Sequence, residues 1–105
     1  MRHDITACFA ALADPTRRAV VEQLTRGPAT VSTLAAPHNM ALPTFMRHLS
    51  VLEKCALIRS EKTGRVRTCI LDPQALFETQ AWLAWQRETW EREQDRRDQL
   101  SMPLD

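Results

Sequence analysis

Residues 40–71, MALPTFMRHLSVLEKCALIRSEKTGRVRTCIL, constrain the fold most, because an amphipathic basic helix runs directly into a hairpin with a charged, glycine-containing turn. At about 100° per residue, Leu42, Phe45, Leu49 and Leu52 fall on one stripe and are expected to face a core. The other side carries Pro43, Thr44, Arg47, Ser50, Val51 and Lys54. These are mostly small or long and cationic side chains, which suits a helix lowered into a major groove between phosphates. The hairpin is expected to run from Ile58 to Glu61, turn at Lys62-Thr63-Gly64 and return as Arg65 to Leu71. Gly64 supplies the positive φ of a tight turn. Val66, Thr68 and Ile70 alternate with Arg65, Arg67 and Cys69, which predicts one largely apolar and one mostly basic face.

The flanking sequence supplies the helices that such a reading unit packs on. Helix one is expected over Ile5 to Leu12; Asp14 then caps helix two, with Pro15 at its first position, where a missing N–H costs nothing. Helix two is expected to end near Arg26, before Gly27-Pro28. Arg17 shares the inward face of Val20, Val21 and Leu24, so its guanidinium is expected to meet a carboxylate, with a phosphate as the alternative. Thr30 caps a short helix from Val31 to about Ala36, and His38-Asn39 turns into the basic helix, which completes a helix-turn-helix. Asp72-Pro73 begins a last helix expected to reach about Arg97, with residues 98–105 as a disordered tail. Its Leu76, Leu83 and Trp90 recur every seven residues beside Trp82 and Trp85. That stripe is wider than one small core can use, which points to a homodimer joined through Phe9, Trp82, Leu83, Trp85 and Trp90; completion of the monomer core is the alternative.

At 105 residues the chain is one domain, mainly α with a small β-hairpin. The net charge of +1 conceals a division: residues 1–71 hold ten Lys/Arg against five Asp/Glu, while residues 72–105 hold four against eight. A polyanion such as double-stranded DNA would meet the first region and avoid the second. The longest apolar run, Ala7 to Ala13, is too short to span a bilayer and no signal-peptide pattern precedes it, so a cytoplasmic protein without a membrane partner is expected. Cys8, Cys55 and Cys69 lack the spacing of a disulfide framework or a zinc ribbon and read as packing residues. No Ser/His/Asp set, carboxylate pair or phosphate-cradling glycine loop suggests an enzyme.

LADPTRRAVVEQL, TVSTLA, LPTFMRHLSVLEKCALI and GRVRTCILDP, in this order and spacing, resemble the ArsR-type winged helix-turn-helix transcriptional regulators over about residues 9–97. The resemblance implies a homodimer joined by its first and last helices, each placing a recognition helix in the major groove of a pseudo-palindromic operator with the wing on flanking backbone. It also implies repression by promoter occupancy. Metal-sensing members carry Cys-x-Cys in the third helix, where this chain has Leu34-Ala35-Ala36, and others bind zinc through Asp and His on the last helix, which here has no histidine. With His3, His38 and His48 scattered, a branch without metal or other cofactor is expected. Redox-sensing members pair cysteines of the second and last helices; neither helix has one here. An inert thiol is expected at Cys8, with contact to its symmetry mate as the alternative.

The resemblance also exposes departures: Ala41 where a capping serine is usual, Met46 where a small polar residue is usual, and Ala56 in place of a glycine. Met46 either touches thymine methyls or packs under the third helix. The expected DNA-binding residues are Pro43, Thr44, Arg47, His48 and Ser50 of the helix and Lys62, Arg65 and Arg67 of the wing. Arg47 is the expected base reader, and the wing cations supply sequence-independent affinity. A winged helix that docks a protein partner through its tryptophans, with weak DNA affinity, is the alternative. Any effector is unassigned.

Overall fold

The computed structural model describes residues 4–101. In chain order these form α1 (Ile5–Leu12), α2 (Pro15–Leu24), β1 (Ala29–Thr30), α3 (Val31–Ala35), α4 (Leu42–Lys54), β2 (Ile58–Thr63), β3 (Val66–Leu71) and α5 (Pro73–Ser101). Side chains set several of the boundaries. Asp4 accepts from the Thr6 and Ala7 N–H groups, Asp14 from Arg17 N–H at 3.0 Å, Thr30 from Thr33 N–H and Asp72 from Gln74 N–H. Each satisfies a donor that the first helical turn leaves without a partner.

The core is built where the helix-turn-helix meets the sheet. Val20, Val21 and Leu24 of α2, Leu34 of α3, and Phe45, Leu49 and Leu52 of α4 are buried together with Leu57, Ile58 and Cys69. The Phe45 ring also stacks on His38 in the turn between α3 and α4, centroids 5.5 Å apart. Leu42, expected on the same stripe, is instead 57% exposed. It is the first residue of α4, and Cα–Cβ bonds tilt toward a helix N-terminus, which carries its side chain past the end of the core.

The sheet has the antiparallel order β1-β3-β2. Its short first strand, Ala29 and Thr30 opposite Cys69 and Thr68, is too brief to leave a periodic signal in sequence. Thr63 pairs with Val66, so the turn is Gly64-Arg65 alone and Lys62 and Thr63 belong to β2. The two faces of β3 do not separate as cleanly as expected: Thr68 and Ile70 are half-buried and Arg65 and Arg67 exposed, but Cys69 is fully buried and Val66 is exposed. Arg67, on the Cys69 side of the strand, stays exposed and pairs with Glu53 of α4.

α4 ends in a Schellman arrangement. Leu57 N–H donates to Leu52 C=O and Ala56 N–H to Glu53 C=O, both at 3.0 Å. This geometry puts Ala56 at φ +63°, where a side chain is disfavoured and glycine is usual. Buried Leu52 and Leu57 supply the apolar contact that accompanies the motif.

Two helix ends differ from expectation. α2 stops at Leu24, two residues before Arg26, where Thr25 caps the helix and Gly27 turns the chain at φ +136°. α5 continues past Arg97 to Ser101, with Arg96 held to Glu93 one turn earlier at 2.9 Å. The rest of the expected tail, residues 102–105, and His3 lie outside the described residues. At 29 residues α5 is about 43 Å long and overhangs the eight-residue α1 on which it packs.

Candidate nucleic-acid interface

α4 buries one side and leaves Pro43, Thr44, Arg47, Val51 and Lys54 exposed on the other, with Ser50 half-buried between them. Among the described residues nothing accepts a hydrogen bond or ion pair from the Arg47 guanidinium. Ala41 occupies the cap position and makes no side-chain hydrogen bond, while Pro43 stands in the first turn. The first N–H groups of α4 therefore lack a side-chain cap at the end where a phosphate would approach. Met46 is half-buried and packs against the core, while also lining the cleft beside this face.

Beside this face lies an open cleft of about 430 Å³ between α3, α4 and the wing. Val31, Met46 and Val66 supply its apolar lining and Lys62, Arg65 and Arg67 its cations. These three cations are not equivalent. Lys62 and Arg65 are exposed, with no described partner for their charged groups. Arg67 is engaged: Nε donates to Ser60 Oγ at 2.9 Å, and one terminal nitrogen lies 3.4 Å from Glu53 Oε1. Ser60 in turn donates to Glu53 at 2.7 Å. This set ties the wing to the last turn of α4.

His48 is also held within the domain. The Arg17 guanidinium lies 3.1 Å from His48 Nδ1, and because a guanidinium only donates, the pair is a hydrogen bond in the neutral ring tautomer that leaves Nδ1 as an acceptor. Arg17 Nε donates to Ala11 C=O at 2.7 Å, and a terminal nitrogen donates to Ala10 C=O at 3.2 Å. Arg18 takes the Leu12 carbonyl at 2.9 Å. Two cations thus satisfy the carbonyl end of α1, where positive charge is favoured. Arg17 therefore meets carbonyls and a ring nitrogen rather than the expected carboxylate as its bonded partners. Asp14 lies 3.7 Å from His48 Nδ1. The Arg17 N–H on its carboxylate holds the Asp14 pKa below the ordinary value, and the nearby Arg17 charge acts in the same direction. The sequence signal for this cluster was Arg17 on an otherwise apolar face.

On the far side, Phe9 of α1 meets Trp82 of α5 edge-on, with centroids 5.7 Å apart. Leu83 and Trp90 continue outward along α5, and Trp90 is 63% exposed. Trp85 lies about 140° around the helix from Trp90, with Trp82 between them at about 60° from Trp85, so the stripe is a broad arc of the helix. Arg92 covers one face of Trp85 at 5.5 Å. Phe77, two turns before Trp85, is 62% exposed and was missed because it falls outside the heptad of Leu76, Leu83 and Trp90.

The cysteines are free and buried; burial raises the thiol pKa of Cys8 and Cys69, and the Cys8 thiol donates to Cys55 C=O at 3.4 Å. Thiolate chemistry is disfavoured there. Among the described residues no group of three His, Cys, Asp or Glu side chains gathers to hold a metal, and no described helix is long and apolar enough to cross a membrane.

Known proteins share both the sequence and the architecture. A helix-turn-helix domain family matches residues 12–61. The crystal structure of an ArsR family transcriptional regulator superposes with a TM-score of 0.80 at 55% identity, covering 83% of this chain and 90% of that one. An HTH-type transcriptional regulator of Mycobacterium tuberculosis, Rv2034, is 42% identical over 66 residues, 63% of this chain and 62% of that relative. The match thus spans somewhat under two thirds of that relative's length. The transcriptional repressor SdpR of Bacillus subtilis is 28% identical over 75 residues, 71% of this chain and 83% of the relative.

Proposed function

The chain belongs to the ArsR family of winged helix-turn-helix transcriptional regulators, and from that premise we propose that it is a homodimeric repressor, acting in the cytoplasm on a pseudo-palindromic operator. α4 enters the major groove and the wing follows the flanking backbone. Arg47 reads a base edge, Thr44, Pro43 and Ser50 line the approach, and Lys62 and Arg65 meet phosphates. The observation that carries this reading is the exposed, unpaired Arg47 at the middle of a helix face beside the cationic wing cleft. The acid-rich region from residue 72 onward contains α5 and no part of this face.

Two copies are needed because one α4 spans only one half-site, and an apolar stripe of Phe9, Trp82, Leu83 and Trp90 is available to join them. Repression follows from occupying a promoter and draws support from the likeness to SdpR. The reading requires neither metal nor other cofactor and no catalysis. It is tested by selecting duplexes from a random pool with the full chain, then measuring affinity for the selected and scrambled duplexes across a salt series, with sedimentation of the free protein. A dimer that prefers the selected duplex and loses affinity steeply with salt supports it. A monomer without preference at low salt, retained on a protein partner, would replace it with an interaction module.

A further inference from the structure

We infer that Arg17 and His48 set the half-site spacing this protein accepts, because one guanidinium grips both the carbonyl end of α1 and the middle of α4. The inference rests on the dimeric operator-binding reading. In that reading α1 belongs to the element that joins the protomers, and α4 to the element that reads DNA. The separation of the two recognition helices then depends on how firmly α4 is fixed relative to α1, since half-sites must lie about one helical turn apart. Arg17 fixes it through three contacts: Ala11 C=O at 2.7 Å, Ala10 C=O at 3.2 Å and His48 Nδ1 at 3.1 Å. The Ala10 carbonyl adjoins Phe9, which packs on Trp82 of α5. His48 adjoins Arg47, the exposed cation of the reading face. The contacts thus run from the α1–α5 side of the domain to the reading face through one side chain, itself anchored by the Asp14 cap on its backbone N–H. Arg17 and His48 are positioning residues that act through α4.

The test compares affinity for the duplex selected by the wild-type protein with affinity for the same duplex carrying one inserted base pair between half-sites. Wild type is expected to prefer the selected spacing about tenfold or more. Arg17→Gln and His48→Leu should each narrow that ratio severalfold while leaving the salt slope unchanged, since the two side chains hold each other within the domain. His48→Asn, which keeps an acceptor near the position of Nδ1, should recover most of the preference. The double variant should fall little below either single one, as expected of two groups in one contact. Thermal melts establish folding, and His48→Leu carries the test if Arg17→Gln unfolds. Folded variants that bind more weakly but keep the full spacing preference would overturn the inference alone. A wild-type chain that selects no duplex would overturn the regulator reading and this inference with it.

Discussion

Arg67 of the wing lies 3.4 Å from Glu53 of α4, and Ser60 bridges the pair, so this wing cation is held by the domain itself. Arg65 at the tip has no such tie among the described residues. The two arginines should therefore respond differently to removal. Arg65→Ala should weaken binding to all duplexes alike and lower the salt slope by about one for each phosphate that is no longer neutralised. Arg67→Ala should lower stability by about 0.5 to 1 kcal/mol, since the pair is partly exposed. Salt titrations and denaturant melts of both variants check the contrast; equal effects of the two on the slope would count against it.

Ala56 occupies a left-handed conformation at the end of α4. Ala56→Gly should stabilise the protein by about 0.5 to 1 kcal/mol, the relief of the side-chain clash less the added freedom of the unfolded chain. Urea unfolding measures it. A destabilised variant would show that the Schellman turn is not the resting geometry.

Asp14 caps α2 and its pKa is depressed, first by the Arg17 N–H it accepts. A depressed carboxylate contributes stability that is present above its unfolded value of about 3.9 and is lost as pH falls through the lower folded value. Asp14→Ala should cost about 1 kcal/mol at neutral pH and flatten the acid side of the stability profile. Melts between neutral and strongly acidic pH test this; a parallel profile would assign the cap's value to something other than its charge.

Much of the fold could be read because punctuation and periodicity agree. Asp14-Pro15, Thr30 and Asp72-Pro73 each begin a helix where a capping residue and a proline or apolar run coincide, and Phe45, Leu49 and Leu52 give α4 its inward face. Alternation misled at β3, where Cys69 of the basic set is buried while Val66 of the apolar set is exposed at the wing tip, and the Arg67–Glu53 pair joins residues fourteen apart that no local pattern links. Leu42 misled for a different reason: its angle is right and its place at the helix end is wrong. The Arg17–His48 contact joins residues thirty-one apart, which no local pattern encodes.

Trp90 is exposed, as are Leu83 and Trp85. Trp90→Ala should leave the monomer folded, shift sedimentation toward monomer and lower operator affinity with it, by 1 kcal/mol or more on the order of an interface anchor. An unchanged dimer would move the interface elsewhere on α1 or α5, with the outward pair Phe77 and Trp85 as the next variants to make.

If the exposed face of α4 reads sequence, Arg47→Ala removes its reader. Affinities of wild type and variant are measured on the selected operator, on each single-base-pair substitution of it, and on scrambled duplex at fixed salt. Arg47→Ala should lose about 1 to 3 kcal/mol on the operator, with relaxed preference at one base pair in each half-site and a much smaller loss on scrambled DNA. Equal losses on operator and scrambled duplex, with every base preference intact, would contradict it.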